Sequence, residues 1–129
     1  VVHNYIHTRG GDDEIIGSAG NDYIRAGAGD DIIDGGAGND VVRSGIGNDR
    51  ITLGAGADKV LITRDQLEGR DVLLDFSAQD ALVLADGITV LGGLGSSTLT
   101  VGYTGGAFQQ LQLAGTSLPT WNPALVTTV

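Results

Sequence analysis

The chain has 129 residues, a formal net charge of −9, 22 glycines and no cysteine. Without cysteine there is neither a disulfide framework nor a thiolate metal site. The acidic balance excludes a surface built to meet nucleic-acid phosphates or anionic lipid headgroups, both of which require clustered Lys and Arg.

The chain begins at Val1 rather than Met, so it reads as a piece of a longer or processed polypeptide. The N-terminal stretch VVHNYIHTRGGDD is no signal peptide, and no apolar run reaches membrane-span length. An export address would therefore lie elsewhere, such as at the C-terminus. From Thr8 to Leu61 the chain is six tandem nine-residue units: TRGGDDEII, GSAGNDYIR, AGAGDDIID, GGAGNDVVR, SGIGNDRIT and LGAGADKVL. Position 4 is always Gly: Gly11, Gly20, Gly29, Gly38, Gly47 and Gly56. Position 6 is always Asp: Asp13, Asp22, Asp31, Asp40, Asp49 and Asp58. Position 8 is always Ile or Val: Ile15, Ile24, Ile33, Val42, Ile51 and Val60. Positions 7 and 9 vary freely.

These columns have a physical reading. One apolar residue between variable neighbours is a three-residue strand with a single side chain facing inward. The glycine-rich residues between strands form turns, since Gly reaches backbone angles closed to other residues. A nine-residue unit buries nothing alone, but stacked units build a solenoid of short parallel strands over an Ile/Val core. In register, the Asp side chains and neighbours such as Asp12 and Asp30 would repel one another. A hard divalent cation removes that conflict. Ca²⁺ takes six to eight oxygens from carboxylates and carbonyls, and glycine-rich turns offer both at fixed spacing. Mg²⁺ fits less well, because it prefers a tight octahedron and keeps its waters. Asn21, Asn39 and Asn48 at position 5 read as turn residues.

Past the repeats, residues 62–87 lose glycine and gain Leu, and residues 88–129 contain no Asp, Glu, Lys or Arg. Alternation in 71–84, DVLLDFSAQDALVL, predicts strands that close the open end of the solenoid, where bare edges invite aggregation. Asp71, Asp75 and Asp80 are candidates for added ligands there, with surface or capping roles the favoured reading. Thr98–Tyr103 and Gln110–Leu113 also alternate, and Thr104-Gly105-Gly106 between them predicts a hairpin. Ser117-Leu118-Pro119 onward reads as an irregular terminus, and Trp121 as a residue packing on the cap. His3 and His7, near a ragged end, read as solvent-exposed rather than metal-binding.

The columns resemble the RTX (repeats-in-toxin) nonapeptide G-G-x-G-x-D-x-U-x, with U a large apolar residue, and residues 35–43 match it at each defined position except that U is Val. The resemblance covers about two-fifths of the chain. It implies an all-β fold: a parallel β-roll over residues 1–61 with two nonapeptides per turn, followed by a small β cap over 62–129. Units 8–16, 26–34 and 44–52 would line one edge, and 17–25, 35–43 and 53–61 the other. It implies Ca²⁺ between stacked turns, bridged by Asp13 with Asp31, Asp31 with Asp49, Asp22 with Asp40, and Asp40 with Asp58, or about four internal sites. Backbone carbonyls of positions 1 to 4 would complete each shell: Arg9 and Gly11; Gly17, Ser18, Ala19 and Gly20; Ala26, Gly27, Ala28 and Gly29. The later turns would give Gly35, Gly36, Ala37 and Gly38; Ser44, Gly45, Ile46 and Gly47; and Leu53 and Ala55. Thr8 and Arg9 replace the first two glycines, and Leu53 and Ala57 depart from the pattern in the last unit, so both ends should be weak. Asn4-Tyr5-Ile6-His7 resembles the tail of a preceding unit with Asn in place of Asp. Asp40, with neighbours on both sides, should matter more to folding than Asp58, read as the end of its column.

The family further implies a calcium-dependent folding switch. The chain would stay unfolded in calcium-poor cytosol, thread a type I secretion channel, and fold outside the cell or on its surface. The uncharged end ALVTTV is compatible with a C-terminal secretion signal. Partners would be calcium ions and, in transit, the secretion machinery, with the piece itself monomeric. A second reading is an accessory module for polysaccharide or surface attachment, with Tyr23, Arg25, Arg43 and Arg50 as its contact face. Heterogeneous, often charged positions 7 and 9 reject an ice-binding array, and no EF-hand motif falls in phase with the units. No nucleophile–base set, G-x-S-x-G or H-E-x-x-H occurs, and a repeated Asp column is not a unique catalytic pair, so the chain reads as non-enzymatic.

Overall fold

The computed structural model describes residues 4–114, 120–121 and 123–128. His3 and Ser117–Pro119 lie outside the described residues, as does part of the stretch considered for a secretion signal. Positions 7 to 9 of each unit form a strand: β1 (Tyr5–His7), β2 (Glu14–Ile16), β3 (Tyr23–Arg25), β4 (Ile32–Asp34), β5 (Val41–Arg43), β6 (Arg50–Thr52) and β7 (Lys59–Ile62). Then come β8 (Arg70–Leu73), β9 (Ala81–Leu84), β10 (Thr89–Gly92), β11 (Thr98–Gly102), β12 (Phe108–Leu113) and β13 (Val126–Thr128).

Successive strands alternate between two sheets. One has the order β1-β3-β5-β7-β9-β13, with every pairing parallel. The other has the order β10-β11-β12-β8-β6-β4-β2, parallel except within β10-β11-β12. The register steps by two units, so Ile24 pairs with Val42 and Ile33 with Ile51. This is a parallel β-roll of two nonapeptides per turn.

The inward column is the core. Ile24, Val42, Ile51 and Val60 are fully buried, while Ile15 and Ile33 are nearly so. Each lone apolar side chain is insufficient, but two facing columns give a continuous apolar interior. Closed-off conformations do the turning: Gly36 and Gly38 sit at φ 82° and 98°. A Cβ on Gly38 would stand 3.0 Å from Asn21 Oδ1 of the coil below, so side chains are excluded twice over.

The region after the repeats behaves differently from its expected role. β8 and β9 do not close the roll. They extend it, pairing parallel with β6 and β7, with Ile51 opposite Leu73 and Val60 opposite Leu82. This coil is offset by 22 residues rather than 18, as in Asp58 to Asp80 against Asp40 to Asp58. The excess lies after β7, where a 3-10 turn, Arg64–Gln66, bulges outward. Closure falls to the last strands. The expected hairpin is present as β11–β12, and β12 adds parallel to β8. Trp121 is fully buried, its ring centroid 5.1 Å from that of Phe76, and its Nε1–H donates to Leu111 O at 3.0 Å. β10 and β13 are elements that alternation did not reveal.

Candidate metal centres

Each invariant Asp ends a turn immediately before a strand, so stacking the strands stacks the carboxylates. Along one edge, the amide of Asp13 donates to Asp31 Oδ1 at 2.9 Å, that of Asp31 to Asp49 Oδ1 at 2.8 Å, and that of Asp49 to Asp71 Oδ1 at 3.1 Å. Along the other, Asn4 donates to Asp22 at 2.9 Å, Asp22 to Asp40 at 2.8 Å, Asp40 to Asp58 at 2.8 Å and Asp58 to Asp80 at 2.9 Å. Asn4 therefore stands where an Asp would, as its resemblance to a unit tail implied. Asp71 and Asp80 correct the sequence reading: they are buried members of the two columns, not surface residues. For the same reason Asp58 is not a column end.

One oxygen of each carboxylate in these bonds, at Asp31, Asp49, Asp71, Asp22, Asp40, Asp58 and Asp80, is thus committed to the neighbouring coil, while Asp13 contributes only its amide. The second oxygen is the informative one. Oδ2 of Asp13, Asp31, Asp40, Asp49 and Asp58 is buried with no hydrogen-bond partner among the described residues. Buried acceptors normally find partners, and an anionic one left alone carries a large desolvation penalty. A row of such oxygens has the chemistry that a hard cation requires. Among the described residues no three His, Asp or Glu side chains converge on one point, so carbonyls must supply the remaining ligands. Carbonyls of the turns do lie at hand: a Cβ on Gly35 would stand 2.7 Å from Leu53 O and 2.9 Å from Asp40 Oδ2. On Gly17 it would stand 2.9 Å from Asp22 Oδ2 and run into Gly35 O. Two of the expected carbonyls are already engaged, Ile46 O by the Gly29 amide and Ala26 O by the Thr8 hydroxyl. These residues fit Ca²⁺.

The columns end differently. Asp22 Oδ2 accepts from the Ser18 amide and hydroxyl, Asp80 Oδ2 from the Ser77 amide and hydroxyl, and Asp71 Oδ2 from Ser44 Oγ and Gln109 Nε2. At these three ends the chain's own donors meet the second oxygen; at the fourth, Asp13, Oδ2 has no partner among the described residues. Asp75 takes the Leu53 and Gly54 amides, one on each oxygen, and so serves as a cap.

Sequence reasoning missed a second ladder. Position-5 side chains bond between coils: Asn21 Oδ1 accepts from the Asn39 amide at 2.7 Å, and Asn39 Oδ1 from the Ala57 amide at 2.9 Å. On the opposite edge Asp12 accepts from Asp30, Asp30 from Asn48, and Asn48 from Arg70. The two ladders run in opposite directions along the stack. The recurrence of Asn or Asp at position 5 was the available signal.

Burial pushes the carboxyls of Asp31 and Asp40 up, with neighbouring carboxylates adding to it. Asp58 is pushed up to about 7, chiefly by burial, against the Asp40 amide and with the charges of Asp80 and Asp40. Burial likewise raises the facing Asp49 and Asp71. At Asp22 burial is outweighed by the Ser18 and Asn4 hydrogen bonds, and the net shift is downward.

A family description, RTX calcium-binding nonapeptide repeat (four copies), matches residues 7–42 and 35–61. Residues 7–61 of this chain are RTX calcium-binding repeats. No curated protein sequence matches the chain. Among solved structures, the R3 subunit of AlgE6, a mannuronan C5-epimerase of Azotobacter vinelandii, superposes with a TM-score of 0.62 at 19% identity. That superposition covers 94% of this chain and 81% of that one. The R2 subunit of the same enzyme gives a TM-score of 0.52 at 19% identity, covering 84% and 91%. At such identity the likeness is one of fold: a parallel β-roll that includes the strands beyond the repeats.

Proposed function

We infer that this RTX roll is a folding switch that closes around calcium outside the cell, stabilising a larger secreted or surface-bound protein and easing its export by a type I channel. The observation that carries this reading is the row of five buried Oδ2 oxygens without a hydrogen-bond partner among the described residues, in a chain of net charge −9. Bare, such a stack is opposed by desolvation and mutual repulsion; with Ca²⁺ both are relieved, and binding free energy becomes folding free energy. Asp13, Asp31 and Asp49 on one edge, and Asp40 and Asp58 on the other, would hold the ions through Oδ2 with turn carbonyls; Asp22, expected in the same role, would have to share oxygens already bonded to Asn4 and Ser18. About four ions fit the four expected pairs. Donors at Ser18, Ser44, Ser77 and Gln109 close three of the four column ends. When bound, the ion supplies positive charge and coordination, not chemistry, and the role is non-enzymatic and monomeric. Calcium titration of the EDTA-treated chain, read by far-UV circular dichroism, tests this: coil should convert to β structure, and an unchanged spectrum would refute the switch.

A second reading, surface attachment, is favoured by one observation. The outward face of the all-parallel sheet carries His7, Arg25, Arg43 and Lys59 and no carboxylate among its described strand residues. Arg50 does not belong to that contact face, because β6 lies in the other sheet. Retention of the calcium-loaded chain on an acidic polysaccharide matrix, lost on neutralising these side chains, would support it.

A further inference from the structure

In-register pairing aligns Arg25 directly with Arg43, so two guanidinium groups rise from neighbouring strands about 4.8 Å apart. Beside them lies a cavity of about 170 Å³ lined by Arg25, Arg43, Asp65, Gly27, Gly45 and Ile46. Asp65 reaches it from the bulged 3-10 turn after β7. Arg43 Nη2 donates to Asp65 Oδ1 at 3.1 Å and to Thr63 Oγ1 at 2.8 Å, while Arg25 meets Asp65 only as an ion pair at 3.7 Å. One carboxylate therefore faces two guanidinium groups whose planar forks could each hold a carboxylate in bidentate fashion. Arg43 Nε is buried with no partner among the described residues, and the Asp65 side chain is 57% exposed.

We propose that Arg25 and Arg43 form a carboxylate-binding site for an acidic polysaccharide, and that Asp65 is a resident surrogate that the ligand's carboxylate displaces. The proposal rests on the attachment reading above. Three features favour this ligand class. The face is basic on a molecule of net charge −9, so the segregation of charge is local and complementary to a polyanion. Its cations recur at strand spacing, with Lys59 one row across, which suits a linear polymer whose charges also recur. Nucleic acid is disfavoured because the face has few cations to neutralise phosphates, and Tyr5 and Tyr23 stack on each other at 5.1 Å rather than presenting open clefts for bases.

The site is bistable in a simple sense. Asp65 sits on an insertion outside the stack, so releasing it leaves both sheets and the calcium columns untouched. Its Arg contacts are partly solvent-exposed and weak enough to exchange.

The test uses the full calcium-loaded chain, an oligogalacturonate as probe, its methyl ester as neutral control and poly-glutamate as the peptide alternative, with affinities from calorimetry and folding checked by circular dichroism. Asp65→Asn should tighten oligogalacturonate binding about fivefold. Arg43→Gln and Arg25→Gln should weaken it about tenfold or more, and the ester should not bind. Oligogalacturonate binding that ignores all three substitutions would overturn the site while leaving the attachment reading intact, and would point to bridging through the bound calcium. Absence of binding in every variant would overturn both. Tighter binding of poly-glutamate than of oligogalacturonate would assign the site to an acidic peptide and overturn the polysaccharide class.

Discussion

The amide of Asp40 donates to Oδ1 of Asp58 at 2.8 Å, and Oδ2 of the same Asp58 has no hydrogen-bond partner among the described residues. One carboxylate thus has two separable oxygens, one spent on backbone pairing between coils and one that we propose as a cation ligand. That separation governs what its replacement should do.

Asp40→Asn keeps an oxygen for the Asp22 amide but loses the negative charge. Asp40→Ala loses both. The calcium concentration at the folding midpoint should rise about tenfold for Asn and further for Ala. Asp58→Ala should cost as much as Asp40→Ala, because Asp80 continues the column past it. Calcium titrations followed by circular dichroism would check this; a much milder Asp58 variant would show that the column ends at Asp58 in function.

In EDTA the roll should respond to acid. The folded-state carboxyl of Asp58 lies at about 7, above the ordinary 3.8. A raised folded-state value means that the folded form binds the proton more tightly, so the stabilisation is full below about 3.8 and lost as pH rises through about 7. Asp31, Asp40 and Asp49 shift in the same direction. Lowering the pH of the calcium-free chain from 8 to 5 should therefore increase β structure. With calcium present the same change should weaken ion binding, since ion and proton compete for one oxygen. Loss of β structure on acidification in EDTA would contradict this.

Gly35→Ala and Gly10→Ala form a matched pair. The first places a Cβ 2.9 Å from Asp40 Oδ2 and 2.7 Å from Leu53 O; the second meets nothing within 4 Å. Gly35→Ala should weaken calcium binding about tenfold or more, through the crowded donor set. Gly10→Ala should change affinity less than twofold. Calorimetric titration distinguishes them.

Trp121→Ala should destabilise the calcium-loaded protein by about 3–5 kcal/mol, the usual cost of removing a buried large aromatic. The residue is far in sequence from the columns, so ion stoichiometry should stay unchanged. Thermal unfolding at saturating calcium measures the first and calorimetry the second.

Much of this was legible in the sequence, and the reason is periodicity. Gly at position 4, Asp at 6 and Ile or Val at 8 each report a fixed place around the coil, so six repetitions specify turn, ligand and core together. Reading failed where the period broke. Asp71 and Asp80 occupy column places, but four extra residues after β7 put them out of phase, and they looked like flank residues. Arg50 was grouped with Arg25 and Arg43 because all three are charged strand residues, although its unit belongs to the opposite edge. The position-5 ladder went unseen since Asn at a turn already has a local explanation. β10 and β13 carry little alternation, and they are placed by packing against the stack.

The longer coil has a wider meaning. Both sheets pass through it without a fault, since place in the stack depends on which column a residue joins and not on its distance along the chain. Extra length at a corner is extruded sideways as a bracket, here the one that bears Asp65. The ion-carrying scaffold and the chemistry displayed on its flank can therefore diverge independently, each free of the other's constraints.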